Sequence, residues 1–313
     1  MTATVNISAD EVFSRVGFGQ AVRAVQAAFD AGLDPAADFE RSVLDVDHGQ
    51  LLLMPSASPR FVGVKVATVA PGNPARGLER IQGVYLLMDA ETLGVVATID
   101  GTALTTLRTP ALSAAAADHL APERVDHLAV FGSGPQAWGH LQALATIRTL
   151  GRVSIVGRDQ QRAAALAERI SGLGLRASVG DADSVRDAQL IVCATTARQP
   201  LFDGRLVPDD SCTIAVGSHE PDAREFDSVL AARAQLVVEE RSSALREAGD
   251  VIVPVAEGVI DPASLVPLRR ILTGQTPPDR KRPRIFKSVG MSWEDLVIAS
   301  AVYDSPAPQE RLR

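Results

Sequence analysis

The stretch LAVFGSGPQAW, residues 128–138, decides the fold. An apolar, strand-like run leads into Gly132-Ser133-Gly134-Pro135-Gln136-Ala137, after which a helical pattern begins. In such a loop the first glycine permits a tight turn, the second lets the backbone approach a pyrophosphate, and a small third residue lets helix and strand pack closely. The helix N-terminus adds N–H donors and a positive dipole end for the phosphates. Strand, turn and helix in this order predict a dinucleotide-binding loop.

Strand and helix patterns alternate through the part of the chain that surrounds this loop. Strands are predicted at 127–131, 153–156, 188–194, 213–216 and 236–238, and helices at 135–150, 160–173 and 223–233. Such alternation is typical of a parallel sheet with crossover helices. We therefore expect a Rossmann domain over residues 121–275.

The flanking segments have a different pattern. A helix is predicted at 8–31, and short apolar runs separated by turn residues follow at 41–46, 50–54, 61–69, 81–88 and 95–99. No helix separates these runs, which favours an antiparallel sheet. Further helices are predicted at 105–119 and 292–303, and the proline-containing stretch 275–284 is interpreted as a linker back to the first domain. The predicted fold is α/β, with the Rossmann domain and a discontinuous α+β domain over residues 1–120 and 276–313.

Composition excludes several classes of protein. The net charge of −7 argues against a nucleic-acid binder. The apolar runs are too short for a membrane span, and the first residues lack a basic start followed by an apolar stretch. Cys193 and Cys212 lie in apolar runs without metal-ligand spacing, which predicts buried free thiols. We therefore expect a cytoplasmic protein without a metal site.

The second Rossmann strand bears on the choice of cofactor. It ends VSIVGRD at residues 153–159, so Arg158 stands where a cation can accommodate a ribose 2′-phosphate. Asp159 is the alternative, because an acidic residue there can bind the ribose hydroxyl instead. The pattern favours NADP(H) over NAD(H).

One lysine stands out in a chain whose 31 basic residues include only three lysines. Lys65 lies in FVGVKVATV, where Gly63 and Ala67 share its strand face and are expected to leave room for a ligand. A buried ammonium needs a partner, and desolvation lowers its pKa. The alternative is an edge-strand lysine that reaches into water.

Three arginines in the same domain could join this lysine. Arg41 and Arg80 are predicted on strands, and Arg108 in the opening turn of the helix at 105–119, where an anion is favoured. Surface ion pairs are the alternative role for each of them.

Several motifs together resemble the ornithine cyclodeaminase/mu-crystallin family over nearly the whole chain. They are Lys65, Pro71-Gly72-Asn73, Ile81-Gln82-Gly83, Leu107-Arg108-Thr109, GSGPQA at 132–137, Val216-Gly217-Ser218 and FKSVGMSWEDLVIASAVY at 286–303. The resemblance implies hydride transfer on amino acids or their imines, and a homodimer formed through the sheet of the first domain.

The resemblance also implies roles for individual residues. Arg41 and Lys65 would bind the substrate carboxylate. Beyond the resemblance, we add Arg80 and Val289 as candidate substrate residues, and Lys65 and His219 as candidate catalytic residues. For the cofactor, the resemblance implies contacts with Arg108, Pro135, Gln136, the turn of Val216, Gly217, Ser218 and His219, and Ser288. The other candidate cofactor residues are Gly132 and Gly134 of the glycine loop, Arg158 and Thr195.

Departures from the family pattern narrow the expected substrate. His219 stands where cyclodeaminases carry an aspartate that engages the substrate's side-chain amine, and Arg80 stands where they carry a threonine. Both changes disfavour a diamino acid such as ornithine, although Arg80 could serve the cofactor phosphate instead. Pro110 replaces a small residue, and we place it in the first helical turn, where proline is tolerated.

The resulting expectation is an NAD(P)H-dependent reductase of small cyclic imino acids such as pyrroline-2-carboxylate or piperideine-2-carboxylate. Its partner would be a small anionic imino or amino acid. Three alternatives stay open: an ornithine cyclodeaminase that recycles NAD, an alanine- or opine-type dehydrogenase, and a binding protein that holds NADPH and a carboxylate ligand without turnover.

Overall fold

The computed structural model describes residues 4–306 and divides them into two compact units. The first unit contains the chain up to Thr109 and again from Met291, and the second unit is Pro110–Gly290. The sequence places the boundaries instead after residues 120 and 275. Both boundaries differ from the prediction because two elements were assigned to the flanking segments. The helix Gly101–Leu120 belongs partly to the second unit, and the strand Arg284–Lys287 belongs to it wholly.

A six-stranded sheet forms the centre of the first unit. The elements are β1 (Val5–Ile7), α1 (Ala9–Arg15), α2 (Phe18–Asp30), β2 (Ser42–Val46), β3 (Gly49–Ala57), β4 (Phe61–Val69), β5 (Ile81–Asp89), β6 (Val95–Asp100) and the start of α3 (Gly101–Leu120). The strand order is β1-β6-β5-β4-β3-β2. β2 to β6 pair antiparallel, as predicted, and the unpredicted β1 pairs parallel with β6.

The predicted helix at 8–31 is in fact two helices. Gly17 is extended at the N-cap of α2, and its N–H donates to the Gln20 side chain at 2.9 Å. The bend at Gly17 turns the chain so that both helices bury apolar residues, Val12 in α1 and Val22, Val25 and Phe29 in α2. Helical periodicity continues across such a break, so it was not visible in the sequence.

Fourteen further strands and α-helices of the described chain follow α3, and a last helix completes the first unit. They are β7 (Val125–Phe131), α4 (Pro135–Ala145), β8 (Leu150–Val156), α5 (Gln160–Ser171), β9 (Arg176–Val179), β10 (Leu190–Cys193), β11 (Cys212–Ala215), α6 (Ser228–Arg233), β12 (Gln235–Val238), α7 (Arg241–Glu247), α8 (Gly249–Ala256), β13 (Val266–Pro267), α9 (Leu268–Leu272), β14 (Arg284–Lys287) and α10 (Ser292–Asp304). In the first unit α10 packs on α2 and on the β3–β5 side of the sheet, with Trp293 edge-on to Phe29.

The second unit is a parallel sheet in the order β13-β12-β14-β11-β10-β7-β8-β9. The chain runs outward from β7 through β8 to β9, and then crosses to β10 on the other side of β7. This reversal is the topological switch point at which doubly wound sheets bind ligands. The observed architecture of the second unit is that of the predicted Rossmann domain.

β14 is the largest error of the sequence-based assignment. The stretch 275–284 was interpreted as a linker, yet Arg284 begins β14, which lies between β11 and β12 in the sheet. A four-residue strand flanked by basic residues and prolines carries little periodic signal. Its position inside the sheet is the reason that the second unit extends to Gly290.

α3 is the longest helix and ends in a cluster of arginines. At its C-terminus three carbonyls accept hydrogen bonds from arginines: Leu120 from Arg284, Ala121 from Arg280 and Asp118 from Arg148. Cations at this end complement the helix dipole and satisfy carbonyls that lack helical partners. No helix among residues 4–306, α3 included, is long and apolar enough to cross a membrane.

Arg284 provides a stability test of the second unit. It is fully buried and also donates to Asp210 at 2.7 Å. Arg284→Met should lower the free energy of unfolding by about 1–3 kcal/mol, because the Leu120 carbonyl loses a buried donor and the exposed Asp210 carboxylate loses its partner. Urea unfolding measures the loss, and Arg124→Met is the control, since Arg124 and Asp126 form an exposed pair. Equal stability of both variants would contradict this role of Arg284.

Candidate functional site

The loop after β7 has the backbone that its glycines predict. Gly132 has φ +122°, and a Cβ there would lie 2.4 Å from the carbonyl oxygen of Ala194. Its N–H donates to Val156 O at 2.8 Å, which joins the loop to β8. Only glycine fits this position, so the turn depends on it.

Gly134 has the opposite surroundings. A Cβ at Gly134 would meet no heavy atom within 4 Å, and Gly134 is the N-cap of α4 without a side-chain cap bond. Pro135 occupies the first turn, and the Gln136 carbonyl accepts from buried His140. Open space beside a helix N-terminus suits a bound phosphate group. The residues present therefore fit a dinucleotide.

The residues after β8 differ in availability. Arg158 is exposed, and its guanidinium lies 3.5 Å from the Thr196 hydroxyl. Asp159 is the N-cap of α5, and its Oδ1 accepts from the N–H groups of Gln161 and Arg162 at 3.0 and 3.1 Å. Asp159 Oδ1 is thus engaged in capping α5, whereas the Arg158 side chain is exposed in the turn after β8.

The turns after β10 and β11 share one carboxylate to which the sequence analysis assigned no role. Glu225 accepts from the N–H and hydroxyl of Thr195 at 2.8 and 2.7 Å, and from the N–H of Gly217 at 2.7 Å. A Cβ at Gly217 would lie 2.1 Å from Thr195 O, so the two turns are in close contact. Val216 continues the ladder by donating to Cys193 O.

Two further predicted cofactor residues are held by the backbone. Ser218 is buried, and its hydroxyl donates to Ala223 O at 2.6 Å. Ser288 is buried after β14 and donates its N–H to Ala215 O at 3.1 Å. Val289, a predicted substrate residue, donates its N–H to Glu239 at 2.6 Å. His219 follows Ser218 and is half-buried.

Lys65 is buried in the first unit with a partner. It is 3% exposed, and its Nζ lies 2.7 Å from Asp295 Oδ2 in α10 and 3.2 Å from the Thr105 hydroxyl in α3. Burial lowers the pKa of Lys65 to about 8, although Asp295 opposes that shift. The prediction of a buried, paired lysine with a lowered pKa agrees with this geometry.

The expected space beside Lys65 is partly filled. A Cβ at Gly63 would lie 2.1 Å from the Tyr85 hydroxyl, so the phenol of the neighbouring strand occupies that space. The sequence expectation that Gly63 leaves room for a ligand is therefore wrong. The reason is a cross-strand neighbour, which strand alternation within β4 does not reveal.

Arg108 lies deeper in its helix than predicted. α3 begins at Gly101, where Asp100 accepts the N–H of Ala103, so Arg108 stands two turns into the helix and not in its opening turn. It is buried, 2.7 Å from Glu294 and 3.7 Å from Asp295. Its electrostatic partners are thus carboxylates of α10. Pro110 is likewise inside the helix, where it cannot donate to the Thr106 carbonyl.

Glu294 and Asp295 are the residues of this cluster that the sequence analysis missed. Both are fully buried, and acidic side chains are almost never fully buried unless they are paired. The signal was present, because the helix predicted from Ser292 places two adjacent acids in its first turn.

Arg41 and Arg80 precede strands and do not lie on them. Arg41 directly precedes β2. In the sheet β2 lies two strands away from β4, and neighbouring strands are about 4.8 Å apart. Arg80 precedes Ile81, which pairs with Val69, so its backbone lies at least about 13 Å from Lys65 along the sheet. The registers bring Arg41 nearer to Lys65 than Arg80.

Two buried histidines and the two cysteines of the second unit have structural surroundings. His127 lies between Asp187 and Ser154, and His140 lies between the Gln136 carbonyl and Ser113. Burial lowers the pKa of His140 to about 4. Cys193 and Cys212 are buried and free, as predicted. Over residues 4–306, no cluster of three or more histidine, cysteine or acidic residues could hold a metal ion.

Comparisons with known proteins agree with this geometry. The sequence model of the ornithine cyclodeaminase/mu-crystallin family matches residues 5–310. The chain is 33% identical over 267 residues to a Delta(1)-pyrroline-2-carboxylate reductase of Bacillus cereus (strain ZK / E33L), covering 82% of each chain. It is 32% identical over 260 residues to the ketimine reductase mu-crystallin of Mus musculus, covering 82% of this chain and 81% of that one.

A solved structure is similar over almost the whole chain. It is Thermococcus litoralis Delta(1)-pyrroline-2-carboxylate reductase in complex with NADH and L-proline. The TM-score is 0.90 at 28% identity, covering 96% of this chain and 97% of that chain.

The two loop glycines give opposite predictions. Gly134→Val should fold with wild-type stability, because space is open, and should weaken nucleotide binding at least about tenfold by filling the phosphate position. Gly132→Val should lose stability, because its Cβ would meet Ala194 O and its φ is unfavourable. Thermal melting and nucleotide titration separate the two effects. Normal nucleotide affinity in folded Gly134→Val would contradict the assignment.

Proposed function

The chain belongs to the ornithine cyclodeaminase/mu-crystallin family, and we propose that it is an NAD(P)H-dependent reductase of small cyclic imino acids. The proposed substrates are ketimines of the type of pyrroline-2-carboxylate or piperideine-2-carboxylate. The observation that carries the proposal is the buried ammonium of Lys65, 2.7 Å from Asp295, in a chain that also has an intact dinucleotide loop. Relatives bearing reductase names support the same reaction.

Lys65 and Arg41 bind the substrate carboxylate in this proposal. Lys65 is positioned by Asp295 and Thr105, which fix its Nζ before substrate arrives. Arg41 is the arginine whose strand register is nearest. Arg80 is more distant along the sheet, so it contributes to substrate binding only if its side chain extends back towards Lys65.

The reaction adds one hydride to the imine carbon and one proton to the imine nitrogen. The bound nicotinamide cofactor supplies the hydride. Lys65 or His219, directly or through water, keeps the imine nitrogen protonated, which makes the carbon electrophilic. Orienting the substrate by its carboxylate contributes much of the rate. The product is the saturated cyclic amino acid.

Cyclodeamination of ornithine is the less favoured reaction. It needs a carboxylate to engage the side-chain amine, and His219 stands at the corresponding position. A histidine offers no permanent negative charge to a cationic amine. An alanine- or opine-type dehydrogenase would use the same hydride chemistry on an open-chain imine.

Reductase activity is tested by the loss of NADPH absorbance with pyrroline-2-carboxylate. Wild-type protein should oxidise NADPH, and Lys65→Ala should lower kcat/KM at least about a hundredfold, because it removes the carboxylate's cation. Thr68→Ala, an exposed position on the same strand, is the control. Ammonia and proline from ornithine, without net NADPH use, would contradict the proposal.

The pH dependence tests the role of Lys65 separately. Because its pKa is lowered to about 8, the ammonium is lost as pH rises through 8. We expect kcat/KM to fall above about pH 8, where free-enzyme ionisations appear. In Lys65→Arg the remaining activity should lack this alkaline fall, since a guanidinium stays charged. A profile unchanged by the substitution would exclude Lys65 as the titrating group.

NADP(H) is the cofactor that the loop after β8 favours. Arg158 is exposed beside that loop, and Asp159 Oδ1 is engaged in capping α5. Arg158→Ala should raise KM for NADPH about tenfold or more and leave KM for NADH nearly unchanged, because only the former has the 2′-phosphate. Arg205→Ala, an exposed arginine elsewhere in the unit, is the control. Equal effects on both cofactors would contradict the preference.

The first unit has an apolar sheet face that a second copy would cover. On the face opposite Lys65, the half-buried or exposed rows are Leu53, Val66 and Val84, and Pro55, Val64 and Leu86. Contiguous apolar patches of this kind mark interfaces. The proposed assembly is a homodimer through this face.

The proposed location is the cytoplasm, because the buried free thiols Cys193 and Cys212 suit a reducing compartment.

A charge on this face should prevent dimer formation. Val64→Asp should give the mass of one chain by light scattering, whereas wild-type protein gives the mass of two. Leu173→Asp, at an exposed apolar site in the second unit, should remain a dimer. A dimeric Val64→Asp variant would exclude this face as the interface.

A further inference from the structure

Three fully buried charged residues lie beneath the ends of β10, β11 and β14, and the proposed reaction does not use them. They are Glu225, Asp250 and Lys287, called here the charge triad, and none is more than 1% exposed. A charge in the core of a unit is costly unless it is paired. The triad combines one cation with two carboxyl groups, so it carries one net negative charge when all three are ionised.

Lys287 balances only one of the two carboxyl groups directly. Its Nζ lies 2.9 Å from Asp250 Oδ2 and donates to the Ser218 carbonyl at 2.6 Å. Asp250 Oδ1 accepts from the backbone N–H groups of Glu225 and Phe226 at 2.6 and 3.2 Å. Lys287 and Asp250 thus form a closed pair that holds the segment carrying Glu225.

The surroundings of Glu225 fit an ionised carboxylate. Its two oxygens accept three hydrogen bonds, from the N–H and hydroxyl of Thr195 and from the N–H of Gly217. All three partners act as donors. Burial raises the pKa of the Glu225 carboxyl, and the neighbouring Asp250 carboxylate adds to the rise, while Lys287 and the Thr195 donors oppose it. The hydrogen-bond directions therefore place the uncompensated charge on Glu225.

The position of Glu225 relates this charge to one half of the cofactor. Thr195 and Gly217 follow β10 and β11, which lie on one side of β7, whereas the backbone of Arg158 follows β8 on its other side and only its guanidinium reaches towards Thr196. In a doubly wound sheet the pyrophosphate lies over the central strand and the two mononucleotides on either side. With the 2′-phosphate end at Arg158, the nicotinamide end belongs over the turns that Glu225 holds.

We propose that Glu225 stabilises the oxidised nicotinamide relative to the reduced one and so favours hydride donation to the imine. NADPH that gives up a hydride becomes NADP⁺, and its ring changes from neutral to cationic. A fixed negative charge at the turns where that ring would bind would attract only the oxidised form. Glu225 is thus a positioning residue that acts through Thr195 and Gly217 and through its charge. This inference rests on the nicotinamide cofactor of the proposed function, but not on the identity of the imine.

The test compares dissociation constants for NADP⁺ and NADPH, measured by calorimetry without any imine. Neutralising the carboxylate in Glu225→Gln should raise the ratio of Kd for NADP⁺ to Kd for NADPH about tenfold, the effect of one charge about 10 Å away at an effective dielectric constant near 20. Glu225→Asp keeps the charge but shortens the side chain, so both constants should change together. Asp126→Asn removes an exposed carboxylate elsewhere in the same unit, so its ratio should equal that of the wild type.

Thermal melting establishes that each variant is folded. Should Glu225→Gln not fold, Asp250→Asn removes the other negative charge of the triad and should shift the ratio in the same direction. An unchanged ratio in a folded, neutralised variant would overturn the inference and leave the reductase proposal intact. So would an equal shift in Glu225→Asp, because geometry alone would then explain it. Failure of wild-type protein to bind either nucleotide would overturn the inference and the proposed function together.

Discussion

The buried ion pair between Lys65 and Asp295 is the contact on which the first unit depends. It joins β4 to α10 across 230 residues of sequence, with Arg108 and Glu294 forming a second buried pair beside it. Removing one member would leave a charge in the core without its partner, which typically costs several kcal/mol. The chain must therefore return to the first unit after completing the Rossmann domain, and the discontinuous domain follows from this requirement.

The same pairing prepares the proposed chemistry. An ammonium held by a carboxylate and a hydroxyl has a fixed position, and burial brings its pKa close to the physiological range. A cation in that state can bind a substrate carboxylate and exchange a proton near neutral pH. In the second unit, the open position at Gly134 suits the phosphate groups of a dinucleotide, and Glu225 of the charge triad holds the turns after β10 and β11.

Local patterns predicted those parts of the fold whose signals are local. The bounds of β4 and the dinucleotide loop follow from alternation and glycine placement, and Lys65 stood out because it is a lysine in an apolar strand. The acids that pair with Lys65 and Arg108 are Asp295 and Glu294, which lie far away in sequence, and no periodicity reveals such pairings. Arg108 was placed too near its helix start because Gly101 is a weak helix former, and the capping by Asp100 was not anticipated.

Transfer of deuterium from the cofactor tests the central claim most directly. Protein is incubated with pyrroline-2-carboxylate and NADPH deuterated at the transferred position, and the product is analysed by mass spectrometry. The account predicts proline with one deuterium on its α-carbon, because the hydride passes directly from cofactor to imine carbon. Proline without deuterium, or no proline with cofactor bound, would contradict it.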